Sequence, residues 1–325
     1  MKGISAGSLI AIEWLFIGIA FCLIIARLNL RLFHLKAGFV LSDAFIAGAF
    51  AAGVGLNAVD ITLYLRGVYE PDIDFRMTNW VATEEESIYV YRTLYFLYFP
   101  FYVQQYFNKG TLLSLYYEIF GRGPTKIRIS LACLVFYCAA GFITTICMIL
   151  FYCEWGCYWY WPPSIALCWK VNDNLGWAFH FSSDVFISPP TYQGTPVFVL
   201  PLVYISKLNM SKAQKISASV TFSIGLVNIL ITLARWFVVQ AVFTETPALN
   251  TGEALAVADG HIGLIVSILP SLRPYLRIWQ NKKDAWRSKS NDTSEDRSKD
   301  GTLSTSRVVS SVANSSSKAE ETNQV

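Results

Sequence analysis

The stretch ISAGSLIAIEWLFIGIAFCLIIA (residues 4–26) decides the fold, because it is apolar throughout except for Glu13 and is long enough to cross a bilayer. A crossing helix needs about 20 such residues. Arg27, Arg31, His34 and Lys36 follow at once. The run reads as a retained span rather than a cleavable signal peptide, since it is long, only Lys2 precedes it, and no A-x-A site stands before the basic cluster.

Working outward, comparable runs lie at residues 39–65, 88–120, 129–152, 174–205, 216–243 and 254–275. The third is longer than a crossing requires, and its apolar pattern continues past Lys109 to Phe120, so one long tilted helix is expected, ended by Gly121 and Gly123-Pro124. Pro189-Pro190 and Gly194-Thr-Pro196 interrupt the fifth, which is expected to be irregular. Such a break is tolerated at membrane depth only where protein or water satisfies the backbone. Of the 325 residues, 54% are hydrophobic and 15% charged, against roughly 25% charged in a soluble domain. The expected fold is therefore all-α: a polytopic membrane bundle of seven transmembrane helices over residues 1–279.

Basic residues set the orientation. Arg27, Arg31 and Lys36 follow span one, Arg122, Lys126 and Arg128 follow span three, and Lys207, Lys212 and Lys215 follow span five, whereas the alternate loops are poor in them. The positive-inside rule places the N-terminus out and the C-terminus in. The aromatic-rich loop between spans four and five then faces an oxidising side, where a bridge between Cys153 and Cys168 is favoured and one between Cys157 and Cys168 is the alternative. Its Trp and Tyr residues read first as an interfacial belt and second as a lid over a pocket. Residues 280–325, rich in Ser and Thr and poor in apolar residues, read as a disordered cytoplasmic tail open to phosphorylation. The basic run from Arg273 to Lys289 anchors the last span and offers anionic lipid or a cytoplasmic signalling partner a contact. A net charge of +3 gives no reason to expect a nucleic-acid partner.

No soluble-enzyme motif is present, and the three histidines do not cluster, so neither a metal nor a cofactor is expected. The informative residues are ionisable ones inside spans, where each charge costs about 2.5–3.5 kcal/mol on insertion scales. Glu13, Asp43 and Lys109 lie near span ends and are expected to snorkel or cap. Asp60, Arg92, Asp184, Arg235, Asp259 and His261 are the ligand-pocket or intramembrane polar candidates. An Arg235–Asp259 ion pair is expected across the bundle, with Asp259 as the cavity residue and His261, two positions on, pointing elsewhere.

Several of these stretches carry a resemblance. The run Lys212 to Ser219, the segment Asn228-Ile-Leu-Ile-Thr-Leu-Ala-Arg235, and above all Gly263-Leu-Ile-Val-Ser-Ile-Leu-Pro270-Ser-Leu-Arg273-Pro274 resemble the fungal rhodopsin-like integral membrane family. The likeness includes Ser42-Asp43, Phe107-Asn-Lys109, Tyr117-Glu-Ile-Phe120, Cys153, Cys168 and Asp184, and spans residues 27–277. It implies seven spans and either a receptor-like role or an association with secondary-metabolite gene clusters. Two departures stand out: Asp259 and His261 replace the family's usual Glu and Asn, and the chain is longer by about ten residues between Asp184 and Leu200. No lysine lies between Ala254 and Tyr275, so no retinal Schiff base is expected there.

The primary expectation is a plasma-membrane, receptor-like protein whose partners are the lipid bilayer, a small, apolar ligand and a cytoplasmic signalling protein. The alternative is a membrane-embedded enzyme or accessory factor acting on a lipophilic intermediate in secondary-metabolite biosynthesis, with Asp259, Asp184 or Asp60 as proton donor. A transporter is least favoured because no internal repeat is visible.

Overall fold

The computed structural model describes residues 4–34, 38–75, 77, 79–120, 125–152, 176–182, 229–238, 240 and 248–272, all within one compact unit. Among these residues there are seven helical segments and no strand. They are α1 (Ala6–Asn29, continued by a π-helical turn Leu30–His34), α2 (Leu41–Leu65), α3 (Glu84–Phe120), α4 (Thr125–Cys147, continued by the π-turn Met148–Tyr152), α5 (176–182), α6 (229–238) and α7 (Leu249–Ile268, closed by the 3-10 turn Leu269–Leu272). Among the described residues, four helices are long and apolar enough to cross a membrane: Ala6–Phe33, Leu41–Leu65, Arg128–Phe151 and Leu249–Leu272. The protein is an integral membrane helical bundle. The long third helix is present as expected and accommodates Pro100 in its interior. The last helix begins five residues before its expected start.

The helices are apolar outward and polar inward. On α1 the buried positions are Leu9, Glu13, Ile17, Ala20 and Arg27, while Leu15, Phe21 and Ile25 are exposed. In water this distribution would be unstable. In a bilayer the exposed face meets hydrocarbon and the buried face collects the groups that lipid cannot solvate.

Local chemistry sets the helix ends. Ser5 Oγ accepts from Ser8 N at 3.3 Å and caps α1. Asp43 Oδ2 accepts from Val40 N at 3.1 Å at the start of α2. Asp43 also takes Arg27, Nη2 at 2.8 Å, while Arg27 donates to Ser42 Oγ at 2.7 Å. Asp43 thus caps as expected. Arg27, expected as a loop cation, instead locks α1 to α2, buried at 2% exposure. α2 stops at Gly67, whose φ of 71° places it in the left-handed region. Val68 N then donates to Leu63 O and Gly67 N to Tyr64 O, the pattern that satisfies the last carbonyls of a helix.

α3 is the central element, packed against α2, α4 and α7. Gly48 of α2 lies under the Phe107 ring and Gly110 of α3 under the Phe45 ring, and the two rings meet edge to face at 5.6 Å. The missing side chains are what let α2 and α3 approach this closely.

Candidate functional site

α3 carries an uncommon sequence for a membrane helix: Gln104-Gln105-Tyr106-Phe107-Asn108-Lys109. At 100° per residue, positions 104, 105, 108 and 109 fall on one side of the helix and 106, 107, 110, 113, 114 and 117 on the other. The first face enters the bundle, and its four polar side chains are all buried.

Each of those side chains meets α7 or α5. Gln105 Nε2 donates to Asp259 Oδ2 at 2.9 Å, His180 Nε2 approaches the same oxygen at 3.1 Å, and Thr232 Oγ1 donates to Oδ1 at 2.6 Å. Lys109 Nζ donates to His180 O at 2.7 Å and to His180 Nδ1. One residue along α3, Gln104 Nε2 contacts His261 Nδ1 at 2.9 Å, and His261 Nε2 contacts Asn57 Oδ1 at 2.9 Å. A His261 ring protonated on Nε2 satisfies both contacts. Asn108 Nδ2 donates to Gly260 O at 2.9 Å, so Asp259, Gly260 and His261 are all held by α3. Gln104 is seated between Gly53 of α2 and Gly260 of α7, and a Cβ on either glycine would run into its amide.

The result is a buried network drawn from α2, α3, α5, α6 and α7. Its two ends differ. Around Asp259 there is a carboxylate with three donors and, through His180, an ammonium group; around His261 every partner is neutral. An apolar shelf flanks the charged end, where Trp177 stacks on Trp236 and on Phe181, both at 4.8 Å, and donates to Thr232 O at 3.2 Å.

The structure places the sequence candidates unequally. Asp259 and His261 share this network while pointing to different partners, as their spacing requires. The expected Arg235–Asp259 partnership is present as an electrostatic interaction, while the described hydrogen bonds of Asp259 come from Gln105, His180 and Thr232, and the Arg235 guanidinium also lies 4.3 Å from the centre of the Phe101 ring. Lys109 does not snorkel. At 3% exposure it holds His180 inside the bundle. Arg92 lies on α3 about 18 Å before Gln104 by helical rise, and is half-buried.

Asp60 belongs to a second group, one turn beyond Asn57 on α2. Its Oδ1 accepts from Tyr69 Oη at 2.6 Å, while Asn250 Nδ2 donates to Tyr69 O at 3.2 Å and so ties α7 to the end of α2. Glu13 is 0% exposed, and neither of its oxygens has a hydrogen-bond partner among the described residues. Asp184, Cys153 and Cys168 lie outside the described residues, as does the tail.

Sequence reasoning passed over Asn57, Gln104, Gln105, Asn108 and Thr232 as site residues because it weighed only ionisable groups within spans, and it set His180 aside because the histidines are far apart in sequence. The signal was present: two adjacent glutamines and an Asn-Lys pair one turn later mark a polar face in a helix otherwise rich in aromatics.

The opposite face of α3 borders an apolar groove of about 1120 Å³ between α2, α3 and α4. Phe45, Phe107, Leu113, Leu131, Val135 and Phe142 are among its walls, and Glu118 and Arg128 stand at the end where α3 finishes and α4 begins. The volume lies slightly above the usual range for ligand pockets, roughly 300–1,000 Å³. Tyr106 joins the two faces. It lines the groove, its Oη lies 3.3 Å from Thr145 Oγ1, and its ring centre is 5.3 Å from Lys109 Nζ.

A family model described as the fungal rhodopsin domain matches residues 26–278. No curated protein and no solved structure matches the chain.

Proposed function

The chain belongs to the fungal rhodopsin family, and on that premise we propose that it is a receptor-like membrane protein that senses a small apolar molecule. It crosses the plasma membrane seven times with its N-terminus outside, and the basic inner loops and tail report to a cytoplasmic partner. The four apolar helices, the long α3, and α5 and α6 inside the fifth and sixth apolar stretches all support that topology.

One observation carries the reading: α3 presents an apolar groove on one side and a buried polar network on the other, with Tyr106 touching both. A ligand shifts a bundle only by its differential affinity for two packings. A molecule that fills the groove displaces Tyr106 and Phe107, and with them Gln104, Gln105, Asn108 and Lys109 on the same rigid helix. Hydrogen bonds across the network either form or break, so a small displacement is converted into a choice between discrete arrangements.

Thermal melting of the detergent-purified chain against lipophilic fractions of the culture medium tests this. A fraction that raises the melting temperature of the native chain but not of Ala139→Trp, which fills the groove from an exposed wall position, supports the reading. The reading is overturned if no fraction stabilises the chain and cells lacking it lose one metabolite while accumulating its precursor. That outcome favours the enzyme or accessory role.

A further inference from the structure

The groove is not uniformly apolar, and its one charged end is informative. α2 begins, α3 finishes and α4 begins at the same side of the bundle, and the only ionisable carboxylate and cation among the groove's described walls, Glu118 and Arg128, both stand there. Neither forms an ion pair among the described residues. Arg128 lies in the first turn of α4, where the free N–H groups of the helix start add positive potential. The walls away from that end are Leu, Val, Phe and Ala side chains reaching mid-depth at Tyr106 and Phe142, and Phe136 and Ile129 of α4 are 75% and 59% exposed towards hydrocarbon.

We infer that the groove takes a single-chain carboxylate amphiphile, a fatty-acid-like molecule, with its carboxylate on Arg128 and its tail along Leu131, Val135 and Phe107. This rests on the sensing role proposed above and names the ligand class for the same groove. A planar guanidinium grips a carboxylate through two parallel hydrogen bonds. Glu118, in the same end, disfavours a doubly charged phosphate head more than a monoanion. The lateral opening towards the bilayer lets such a molecule enter from the leaflet with its head at the polar boundary.

Photolabelling of the full chain in phosphatidylcholine nanodiscs tests the assignment. The probes are a diazirine-bearing C16 fatty acid and the alcohol of the same length. The acid is expected to label peptides spanning residues 106–117 and 131–142, to be displaced by excess oleate, and to lose about fivefold in apparent affinity in Arg128→Gln, while the alcohol is unaffected by that change. Ala139→Trp is expected to abolish groove labelling by both, and unchanged melting of each variant controls for folding. Equal labelling by acid and alcohol, indifferent to Arg128→Gln, overturns the carboxylate assignment and leaves the sensing of a neutral apolar molecule standing. Labelling spread evenly over the lipid-facing surface, with no excess in the groove, overturns both.

Discussion

The two faces of α3 differ in what holds them together. The inner face is fastened by directional bonds between groups that hydrocarbon cannot solvate, so each partner there is specified by position and chemistry. The groove face is shaped mainly by apolar side chains, with Phe107 against Phe45 and Tyr106 against Thr145 as fixed contacts, and on the proposed reading a molecule of suitable volume and polarity replaces lipid there. A single rigid helix with one specified face and one permissive face can respond to an occupant without losing its fold.

Substitutions sharpen that contrast. Lys109→Met is expected to be the most damaging, because it removes the cation that balances Asp259 through His180. Breaking a buried charged partnership costs about 3–5 kcal/mol, and a sharp fall in melting temperature and membrane yield would show it. If Lys109→Met melts like the native chain, the charged end of the network is not what fastens α3 to α7.

Gly260→Leu comes next, since its side chain would run into the Gln104 amide. Overpacking of this kind costs about 1–3 kcal/mol, read as a lowered melting temperature with the response to ligand also lost. Gln104→Leu breaks only the neutral arm to His261. Interhelical hydrogen bonds in membranes average about 0.6 kcal/mol, so a shift of a degree or two is expected, smaller than that of Lys109→Met.

Ala139→Trp, at an exposed position of the groove wall, is expected to change stability least of these, while removing ligand-induced stabilisation. An unfolded Ala139→Trp protein would show that the groove is packed core rather than a permissive surface. Glu13→Met probes the second buried group: a buried carboxyl without a hydrogen-bond partner among the described residues is costly, so the apolar replacement is expected to raise the melting temperature slightly.

Much of the architecture was legible in the chain. Run length and residue type are local properties, so residues 4–26, 39–65 and 129–152 announced helices close to where α1, α2 and α4 stand. The unusual length of α3 could be read from the uninterrupted pattern up to Phe120. The site was legible only in part. Asp259 and His261 stood out because charge and imidazole are rare in a span, whereas the neutral Gln104, Gln105 and Asn108 carried no comparable warning. Opposite charge pointed to Arg235, whose charge does act on Asp259, but the amide, hydroxyl and imidazole that bond the carboxylate directly were not singled out as its partners.

Composition and periodicity settle the solvent this protein lives in, because about 20 consecutive apolar residues have no other stable home. The family likeness, too, is written in linear motifs such as the one ending at Pro274. The pairings that make the site are of another kind. Asn57 meets His261 across 204 positions, Gln105 meets Asp259 across 154, and Lys109 meets His180 across 71. No local rule selects among such distant groups. The fold chooses them by which faces α2, α3, α5, α6 and α7 turn inward, and it alone sets the two sides of α3 to different work.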